Sequence, residues 1–407
     1  MIQQAIPGER LSLSLVSWGK TGEALAFHEG QEVRVSGGIP GEEVTAEVIK
    51  YRREYIAAQV VEVLTPSPYR VEPPCPYFGP CTGCQWQHIE YQQQLHIKRQ
   101  MVVEALDSVN GFTDTLVLST LPSPEQYGYR NHARFTVGRR KGELGFVNRE
   151  SRRFIVVQEC LLMHPWINEA LGQLQGKCAE TSQLSIRYGV NTNDFLIQPA
   201  MKSPEVPLQS GRKYYAESLS GQVYRIAASS FFQVNTQQAE RMMELVRDEL
   251  HIPRNEDTSH APSLLVDAYA GVGTFAIMLA PYADKVLAIE ESKSAVGDAQ
   301  INAQDIEGVE FLLGKTEEVL ARIEERPQGV ILDPPRAGCH RDTLDALAQL
   351  APSRVVYVSC DLDTLARDLE ILCGGPFRLE RVQPVDMFPQ THHVECIASL
   401  SWDGSVL

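Results

Sequence analysis

The sequence predicts an α/β protein with a doubly wound parallel sheet in its C-terminal part, a small all-β barrel at its N-terminus and an α+β region between them. Two observations carry this prediction. In the C-terminal part, five short apolar runs alternate with helix-like stretches, as buried strands do in a parallel sheet. These runs are SLLVDAY, KVLAIE, VEFLLG, GVILD and RVVYVS. In residues 9–65, segments of alternating apolar and polar residues are separated by GGIPGE and TPSP, which is typical of a small barrel.

The connecting region begins with a loop. The stretch VEPPCPYFGPCTGCQWQH is rich in proline, glycine and cysteine, which predicts a tight, irregular backbone. Helices are predicted at 90–108 and 234–250. The stretch HIPRNEDTSHAPS is interpreted as a linker before the parallel sheet, and residues 377–401 as a terminal antiparallel pair of strands.

Composition excludes several classes of protein. The 407 residues suffice for two to four domains, and 43% hydrophobic residues is ordinary for a globular protein. No run of about 20 apolar residues is present and the N-terminus lacks a secretory pattern, so we expect a cytoplasmic protein without a membrane span. The formal net charge of −15 argues against a general nucleic-acid binder, but residues 127–153 contain eight Lys or Arg. That stretch predicts either a solvated basic face or a phosphate-contacting surface.

The cysteines suggest a metal centre. Their number is nine, which is odd, and their spacing is uneven, so a disulfide framework is not expected. Cys75, Cys81 and Cys84 lie in the Pro/Gly-rich loop, and Cys160 follows far downstream. Four thiolates suit a tetrahedral zinc ion or an iron–sulfur cluster, and the spacing does not separate the two. The C-x3-C-x2-C pattern of radical enzymes is absent.

A glycine-containing turn follows the first strand of the parallel sheet. Asp267 ends that strand, and Gly271 and Gly273 let the backbone approach a ligand closely. The spacing matches neither a dinucleotide motif nor a phosphate-binding P-loop. Glu290 closes the next strand, where a carboxylate accepts hydrogen bonds from both ribose hydroxyls of an adenosine. This combination favours S-adenosylmethionine over a nicotinamide cofactor, the alternative being a purely structural turn.

Three further residues belong to the predicted ligand edge of the sheet. Asp333 ends the fourth strand in ILDPPR, where a Pro-Pro turn is followed by Arg336 rather than by the aromatic residue of amino-methyltransferases. Cys360 ends the fifth strand, at the start of a helix that we expect to lower its pKa. Glu395 precedes an apolar strand and is a candidate general base. The alternatives are a structural turn, a buried cysteine and a solvent-facing glutamate.

Together these groups suit one reaction. Carbon 5 of uracil is a poor nucleophile, but a thiolate that adds to carbon 6 makes an enolate whose carbon 5 can attack a methyl sulfonium. A carboxylate must then remove the proton from carbon 5 before the cysteine can leave. Cys360 and Glu395 supply these two groups, and Asp333 can bind the pyrimidine or position the thiol.

Six motifs, taken in order, resemble one family. They are GGIPGEEVTAEV, SFFQVN, DAYAGVGT, ILDPPRAG, VYVSCDLDTLARDL and HHVE. The chain resembles, nearly end to end, the S-adenosylmethionine-dependent RNA 5-methyluridine methyltransferases, particularly the bacterial iron–sulfur type that acts on 23S ribosomal RNA. The resemblance implies a TRAM RNA-binding barrel at 1–65, a central α+β domain with an iron–sulfur loop at 66–235, and a Rossmann-like class I methyltransferase domain at 236–407.

The resemblance also implies roles for particular residues. Cys360 matches the nucleophile and Glu395 the base. Contacts to S-adenosylmethionine are implied for Gln233, Tyr269, Glu290 and Asp333, and a [4Fe-4S] cluster is implied on Cys75, Cys81, Cys84 and Cys160. No role is assigned to His392 or His393, which are interpreted as loop or substrate-contact residues. Nor is one assigned to Cys178, Cys339, His340, Cys373 and Cys396.

The RNA itself stays open at this point. A uridine must leave its stack to reach Cys360, and Tyr127, Tyr129 and Phe135 beside the basic stretch are candidates to hold the displaced strand. Transfer RNA is the alternative substrate, with the same chemistry in the T-loop. Two further interpretations are an RNA-binding module that has lost catalysis and a zinc-stabilised DNA or protein methyltransferase. We expect a monomer with no obligate protein partner and no contact with membranes.

Overall fold

A computed structural model describes residues 6–109, 111–112, 115–138, 141–252 and 263–404. Of the predicted linker, only residues 251–252 and 263 fall within these ranges. Arg139 and Arg140 of the basic stretch also lie outside the described residues. No helix in the described ranges is long and apolar enough to cross a membrane.

The N-terminal part forms one six-stranded sheet. Its strands are β1 Arg10–Ser14, β2 Ser17–Trp18, β3 Ala24–His28, β4 Gln31–Ser36, β5 Glu43–Tyr51 and β6 Ile56–Thr65. The strand order is β1-β5-β6-β4-β3-β2; β4 and β6 pair in parallel, and the other neighbours pair antiparallel. Alternate side chains such as Leu11, Leu13, Val33 and Val35 form a core of their own, so the predicted alternation corresponds to one buried face.

The central region contains a second, antiparallel sheet and two helices. The elements are α1 Tyr91–Asp107, β7 Leu116–Val117, β8 His132–Val137, β9 Leu144–Val147, β10 Phe154–Val156, α2 Pro165–Leu174, β11 Gln183–Tyr188, β12 Phe195–Gln198, β13 Tyr214–Leu219 and β14 Gln222–Ala227. The sheet has the order β10-β9-β8-β11-β12, and β13 and β14 form a separate hairpin. Apolar residues of α2, including Ile167 and Leu171, pack with Phe135 and Ile186 of the sheet.

The C-terminal part alternates strands and helices as predicted. Its elements are α3 Thr236–Glu249, β15 Leu264–Asp267, α4 Thr274–Leu279, β16 Lys285–Glu290, α5 Lys293–Asn302, β17 Val309–Leu313, α6 Thr316–Leu320, β18 Gly329–Leu332, α7 Arg341–Leu350, β19 Arg354–Ser359, α8 Leu362–Cys373, β20 Phe377–Val385 and β21 Glu395–Trp402. Side chains of β15 alternate between two cores, because Leu264 and Val266 pack on one face and Leu265 on the other. Helices cover both faces, which explains why these strands are continuously apolar.

The strand order places a ligand crevice at one edge of this sheet. The eight strands run β17-β16-β15-β18-β19-β21-β20-β7, and the first five are parallel. The chain moves outward from β15 to β17 and then returns to β18, so the order reverses between β15 and β18. Open α/β sheets bind ligands at the carboxyl ends of the strands beside such a reversal. β21 is antiparallel to β19, so its first residue lies at that same edge.

Candidate active site

A cavity of about 710 Å³ lies at this edge of the sheet. Its wall is built from residues that end or follow β15, β16, β18 and β19, with the start of β21 and the segment before α3. It brings together seven of the residues predicted from sequence: Gln233, Tyr269, Gly271, Glu290, Asp333, Cys360 and Glu395. These residues come from separate parts of the chain, and the sheet is what makes them neighbours.

The turn after β15 is held by the carboxylate of Glu290. Its Oε2 accepts a hydrogen bond from the Gly271 amide at 2.9 Å, and its Oε1 accepts one from the Ser292 amide at 2.7 Å. Gly271 has a φ of +54°, with no atom within 4 Å of the place that a Cβ would take, and Gly273 has a φ of +90°. A Cβ on Gly273 would approach the Phe311 ring to 3.1 Å. Gly273 does not line the cavity itself; it permits the turn that does.

Asp333 and Glu395 line the cavity, and the fully buried Asp267 lies close enough to Asp333 to be affected by its charge. Burial, reinforced by Asp333, raises the pKa of Asp267 to about 7, and burial raises the pKa of Asp333 to about 7. Burial and then the charge of Asp333 raise the pKa of Glu395 to about 8, while Arg336 acts in the opposite direction. Asp267 accepts hydrogen bonds from the Ala276 amide, through Oδ2, and from the Tyr269 amide. Such a cluster favours a cationic ligand, which would stabilise the charged carboxylates.

Cys360 directly follows β19, and Glu395 begins the neighbouring antiparallel strand β21. Ser359 of β19 pairs with Cys396 of β21, so the next residue of one strand and the preceding residue of the other stand opposite each other. Directly opposed residues present their side chains to the same face of a sheet. Both residues line the cavity. The thiol and the carboxylate therefore border the same cavity.

The prediction that the pKa of the Cys360 thiol is lowered is wrong. Burial, followed by the charge of Glu395, raises the pKa of the Cys360 thiol to about 11. α8 begins two residues later, but its N-cap Asp361 already accepts a hydrogen bond from the Thr364 amide. Burial and nearby carboxylates therefore outweigh the helix end. Arg336 is the group that lowers the pKa of Cys360.

Sequence reasoning assigns no role to three residues of the cavity region. Arg336 lies on the wall and acts electrostatically on both Cys360 and Glu395. Phe231 also lines the cavity although 74% of its surface is exposed. Asp267 is, from sequence alone, no more than the end of a strand. For Arg336, the sequence offers one signal, namely its position directly after the Pro-Pro turn. The burial of Asp267 becomes visible only in the folded structure.

The four cysteines of the predicted centre influence one another. Burial raises the pKa of each thiol, and charge on neighbouring members of the set raises it further for Cys81, Cys84 and Cys160. Each sulfur also receives N–H hydrogen bonds: Cys75 from the amides of Tyr77 and Phe78, Cys81 from Gly83, Cys84 from the Gln87 side chain, and Cys160 from Leu162 and Met163. Thiols with such donors are ligands of the type that a soft metal prefers. Within the described ranges, no three His, Cys, Asp or Glu side chains are arranged to hold a metal ion.

The predicted strand-holding aromatics are mostly core residues. Phe135 is fully buried and packs against Phe146, and Tyr129 is 6% exposed with its hydroxyl donating to the Pro389 carbonyl. Only Tyr127 of the three is half-buried. The prediction is wrong for Tyr129 and Phe135, because a ring that fills the core offers no face to a base. Most described basic residues of 127–153 are exposed, namely Arg134, Lys141, Arg149, Arg152 and Arg153.

Known proteins resemble this chain in sequence. Residues 207–402 match the family model tRNA (Uracil-5-)-methyltransferase. An uncharacterized RNA methyltransferase of Thermosynechococcus vestitus is 33% identical over 97% of this chain and 98% of its own length. Another, from Gloeobacter violaceus, is 32% identical over 97% of both chains.

A solved structure has the same fold. The tRNA (uracil-54, C5)-methyltransferase of Pyrococcus abyssi, in complex with S-adenosyl-L-homocysteine, superposes with a TM-score of 0.74 over 96% of this chain and 100% of that one. The identity is 24%, so this match concerns the fold: an α/β methyltransferase fold extended by further sheets.

Proposed function

The chain belongs to the RNA (uracil-5-)-methyltransferase family, and we propose that it transfers a methyl group from S-adenosylmethionine to carbon 5 of a uridine through a covalent Cys360 adduct. The observation that carries this proposal is the cross-strand placement of Cys360 and Glu395 on one cavity. The chemistry needs a nucleophile and a base on the same pyrimidine ring, and these two side chains supply them.

The methyl donor would occupy the part of the cavity nearest β15 and β16. Glu290 faces the turn at Gly271, as a ribose-binding carboxylate at the end of a second strand does. Gln233, Tyr269 and Asp333 complete this wall. The raised pKa of Asp333, which lines the cavity, favours a ligand with positive charge, and S-adenosylmethionine carries an ammonium and a sulfonium.

Cys360 would open the reaction as a thiolate, which Arg336 favours. Its sulfur adds to carbon 6 of uracil, and the electrons of the ring double bond move to the carbonyl oxygen as an enolate. Carbon 5 then attacks the methyl carbon, whose bond to the donor sulfur breaks. Asp333, on the cavity wall, can hydrogen-bond the pyrimidine during these steps.

Glu395 would complete the reaction. Its carboxylate takes the proton from carbon 5, the ring double bond re-forms, and the bond between carbon 6 and the Cys360 sulfur breaks. The pKa of Glu395 is raised to about 8 by burial, whereas a base must be ionised. A cationic donor beside it favours the ionised form, as Arg336 does, so donor binding prepares the base.

The RNA substrate is proposed to be 23S ribosomal RNA, with transfer RNA as the second candidate. Support for ribosomal RNA is the order of the six motifs together with the four-cysteine set. Support for transfer RNA is the match to the tRNA (Uracil-5-)-methyltransferase family and to the Pyrococcus abyssi tRNA enzyme. We further propose that the six-stranded sheet is a TRAM barrel that binds the RNA, with domain limits at 1–65, 66–235 and 236–407.

Cys75, Cys81, Cys84 and Cys160 are proposed to hold a [4Fe-4S] cluster, with zinc as the alternative. The thiol set with its N–H donors supports a soft metal centre. Such a cluster would cross-link the loop and supply no electron to the reaction, since adduct chemistry needs none. Iron, sulfide and zinc content of anaerobically purified protein distinguishes the two.

The deciding experiment combines labelled methyl donor with unmodified ribosomal and transfer RNA, followed by mapping of the modified base. Label on carbon 5 of a uridine in one of the two RNAs supports the proposal and identifies the substrate. Target RNA containing 5-fluorouracil should leave a covalent complex at Cys360, because fluorine cannot be removed as a proton. Turnover of the 5-fluorouracil RNA without a covalent bond to Cys360 would exclude the mechanism.

We propose that the active form is a cytoplasmic monomer.

A further inference from the structure

The segment that leads into Glu395 is irregular and depends on partners elsewhere. Residues 386–394 connect β20 to β21 and form neither helix nor strand. At their centre, Gln390 has a φ of +68° and is 2% exposed. A left-handed backbone at a residue other than glycine persists only where the surroundings hold it. The partners that hold Gln390 therefore fix the approach of the chain to Glu395.

Gln94 of α1 is the principal partner. Its Oε1 accepts a hydrogen bond from the Gln390 amide at 3.1 Å, and its Nε2 donates to the Gln390 Oε1 at 3.0 Å. Gln94 is completely buried, and its Nε2 also lies 3.1 Å from the Trp86 carbonyl and 2.9 Å from the Ile89 carbonyl. One amide thus joins the segment before Glu395 to the chain that follows Cys84.

The cysteine-rich loop makes the same connection through its backbone. The Gln390 carbonyl accepts hydrogen bonds from the amides of Gln85 at 3.2 Å and Trp86 at 3.1 Å. These two residues follow Cys84 directly. The Gln85 side chain also lies 3.3 Å from Nδ1 of His392. Every hydrogen bond that the structure shows for Gln390, whether from its backbone or its side chain, is made with Gln85, Trp86 or Gln94.

A buried ion pair anchors the start of the segment to the same helix. Lys98 Nζ lies 2.5 Å from Asp386 Oδ1, with both side chains fully buried, and donates to the Phe388 carbonyl at 3.2 Å. The Tyr91 hydroxyl bonds the other oxygen of Asp386 at 2.9 Å.

Cys360, by contrast, follows β19, which lies between β18 and β21. Glu395 begins β21 and pairs there with Val385 of β20, so the sheet supports it on one side and the segment 386–394 on the other. The approach to the base and the position of the nucleophile thus have separate supports.

We propose that Gln94 and Gln390 are positioning residues for the removal of the carbon-5 proton: they fix the segment that leads into Glu395 against the cysteine-rich loop. This inference rests on the proposed function. Neither residue lines the cavity, so neither is catalytic; they act through Glu395. Because Cys360 is supported separately, loss of the amide pair should slow adduct resolution more than adduct formation and methyl transfer.

The test compares two leucine variants on one helix. Gln94→Leu keeps the side-chain size and removes the amide, whereas Gln92→Leu makes the same change at an exposed position. Single-turnover transfer of labelled methyl to RNA measures adduct formation and methyl transfer. Steady-state turnover also requires resolution of the adduct and release of the RNA. A denaturing gel detects the covalent RNA–protein adduct that accumulates when resolution is slow. For Gln94→Leu we expect near-normal single-turnover transfer, turnover slower by about tenfold to a hundredfold, and accumulated adduct. Gln92→Leu should behave as wild type.

Gln390→Gly is the second variant, in case Gln94→Leu does not fold. Glycine accepts the left-handed backbone and keeps the amide and carbonyl bonds, so only the side-chain half of the pair is lost. A smaller accumulation of adduct is expected. Parallel loss of methyl transfer and turnover without adduct in a folded variant, or unchanged turnover in both variants, overturns the inference. Failure of the proposed function looks different, since wild-type protein would then neither methylate carbon 5 nor form an adduct.

Discussion

Cys360, which directly follows β19, and Glu395, the first residue of the antiparallel strand β21, line one cavity beside the pair Ser359 and Cys396. The chain between them forms α8, β20 and the irregular segment before β21. The proposed nucleophile after a parallel strand and the proposed base at the start of an antiparallel one lie on the same cavity because β21 runs antiparallel to β19. This relationship gives the two residues separable roles, and the first two predictions use that separation.

Replacing the proposed nucleophile should abolish methylation and spare donor binding. Cys360→Ala removes the sulfur that is proposed to activate carbon 5, while the turn at Gly271 and the carboxylate of Glu290 are untouched. Methyl incorporation into RNA should vanish, and calorimetric titration with S-adenosylmethionine should give wild-type affinity. Cys373→Ala, a half-buried cysteine at the end of α8, is the control that should retain activity. Residual methylation by Cys360→Ala would show that the reaction does not need a covalent bond to Cys360.

Replacing the base should trap the intermediate. Glu395→Gln keeps the shape of the side chain but cannot accept the carbon-5 proton, so the sulfur remains bonded to carbon 6. A covalent RNA–protein complex carrying the new methyl group should survive denaturation and appear on a gel. Rapid turnover by this variant, with no complex, would mean that another group takes the proton.

Stability should depend on pH through the buried carboxylates. The pKa values of Asp267, Asp333 and Glu395 are raised to about 7, 7 and 8, whereas unfolded Asp and Glu titrate near pH 4. The folded protein therefore holds more protons between about pH 4 and 8, and its free energy of unfolding should fall as pH rises through this window. Thermal unfolding of ligand-free protein measures this. Glu395→Gln should flatten the dependence, and an unchanged slope would contradict the buried-acid origin.

The second glycine of the turn should tolerate no side chain. Gly273→Ala places a Cβ at a φ of +90° and 3.1 Å from the Phe311 ring. We expect a loss of about 1–2 kcal/mol in the free energy of unfolding, together with weaker donor binding. Gly297→Ala is the matched control, since that glycine lies within α5 with nothing within 4 Å. It should be neutral or stabilising by up to about 1 kcal/mol. Equal changes in the free energy of unfolding for Gly273→Ala and Gly297→Ala would contradict the conclusion that the turn requires glycine at position 273.

Loss of one cysteine of the proposed cluster should lower metal content and stability before it affects the chemical step. Cys81→Ala removes one of four thiols that influence one another. Iron content and the thermal midpoint should both fall, measured on anaerobically purified protein. Cys178→Ala, a change at a buried cysteine outside the set, should leave the iron content unchanged. Full iron content in Cys81→Ala would show that Cys81 is not a ligand of the proposed cluster.

Local patterns in the sequence predict much of the candidate site. A strand that is buried on both faces is continuously apolar, so its end is visible wherever a polar residue interrupts the run. This pattern predicts strand ends at Asp267, Glu290, Asp333 and Cys360, and the structure places all four there or one residue beyond. The predicted direction of the thiol pKa is wrong, because burial and carboxylates from other strands are invisible in a local pattern.

The sequence by itself determined the order of strands and helices, the polar residues that end them and the family to which the motifs belong, because these are properties of short, contiguous stretches. The tertiary structure decided which of these residues meet. Glu395 lies opposite Cys360 because β21 is antiparallel to β19, and Gln390 is held by Gln94 across 296 positions of chain. Such contacts arise when distant segments pack together, and so do the raised pKa values, since burial exists only in the folded chain.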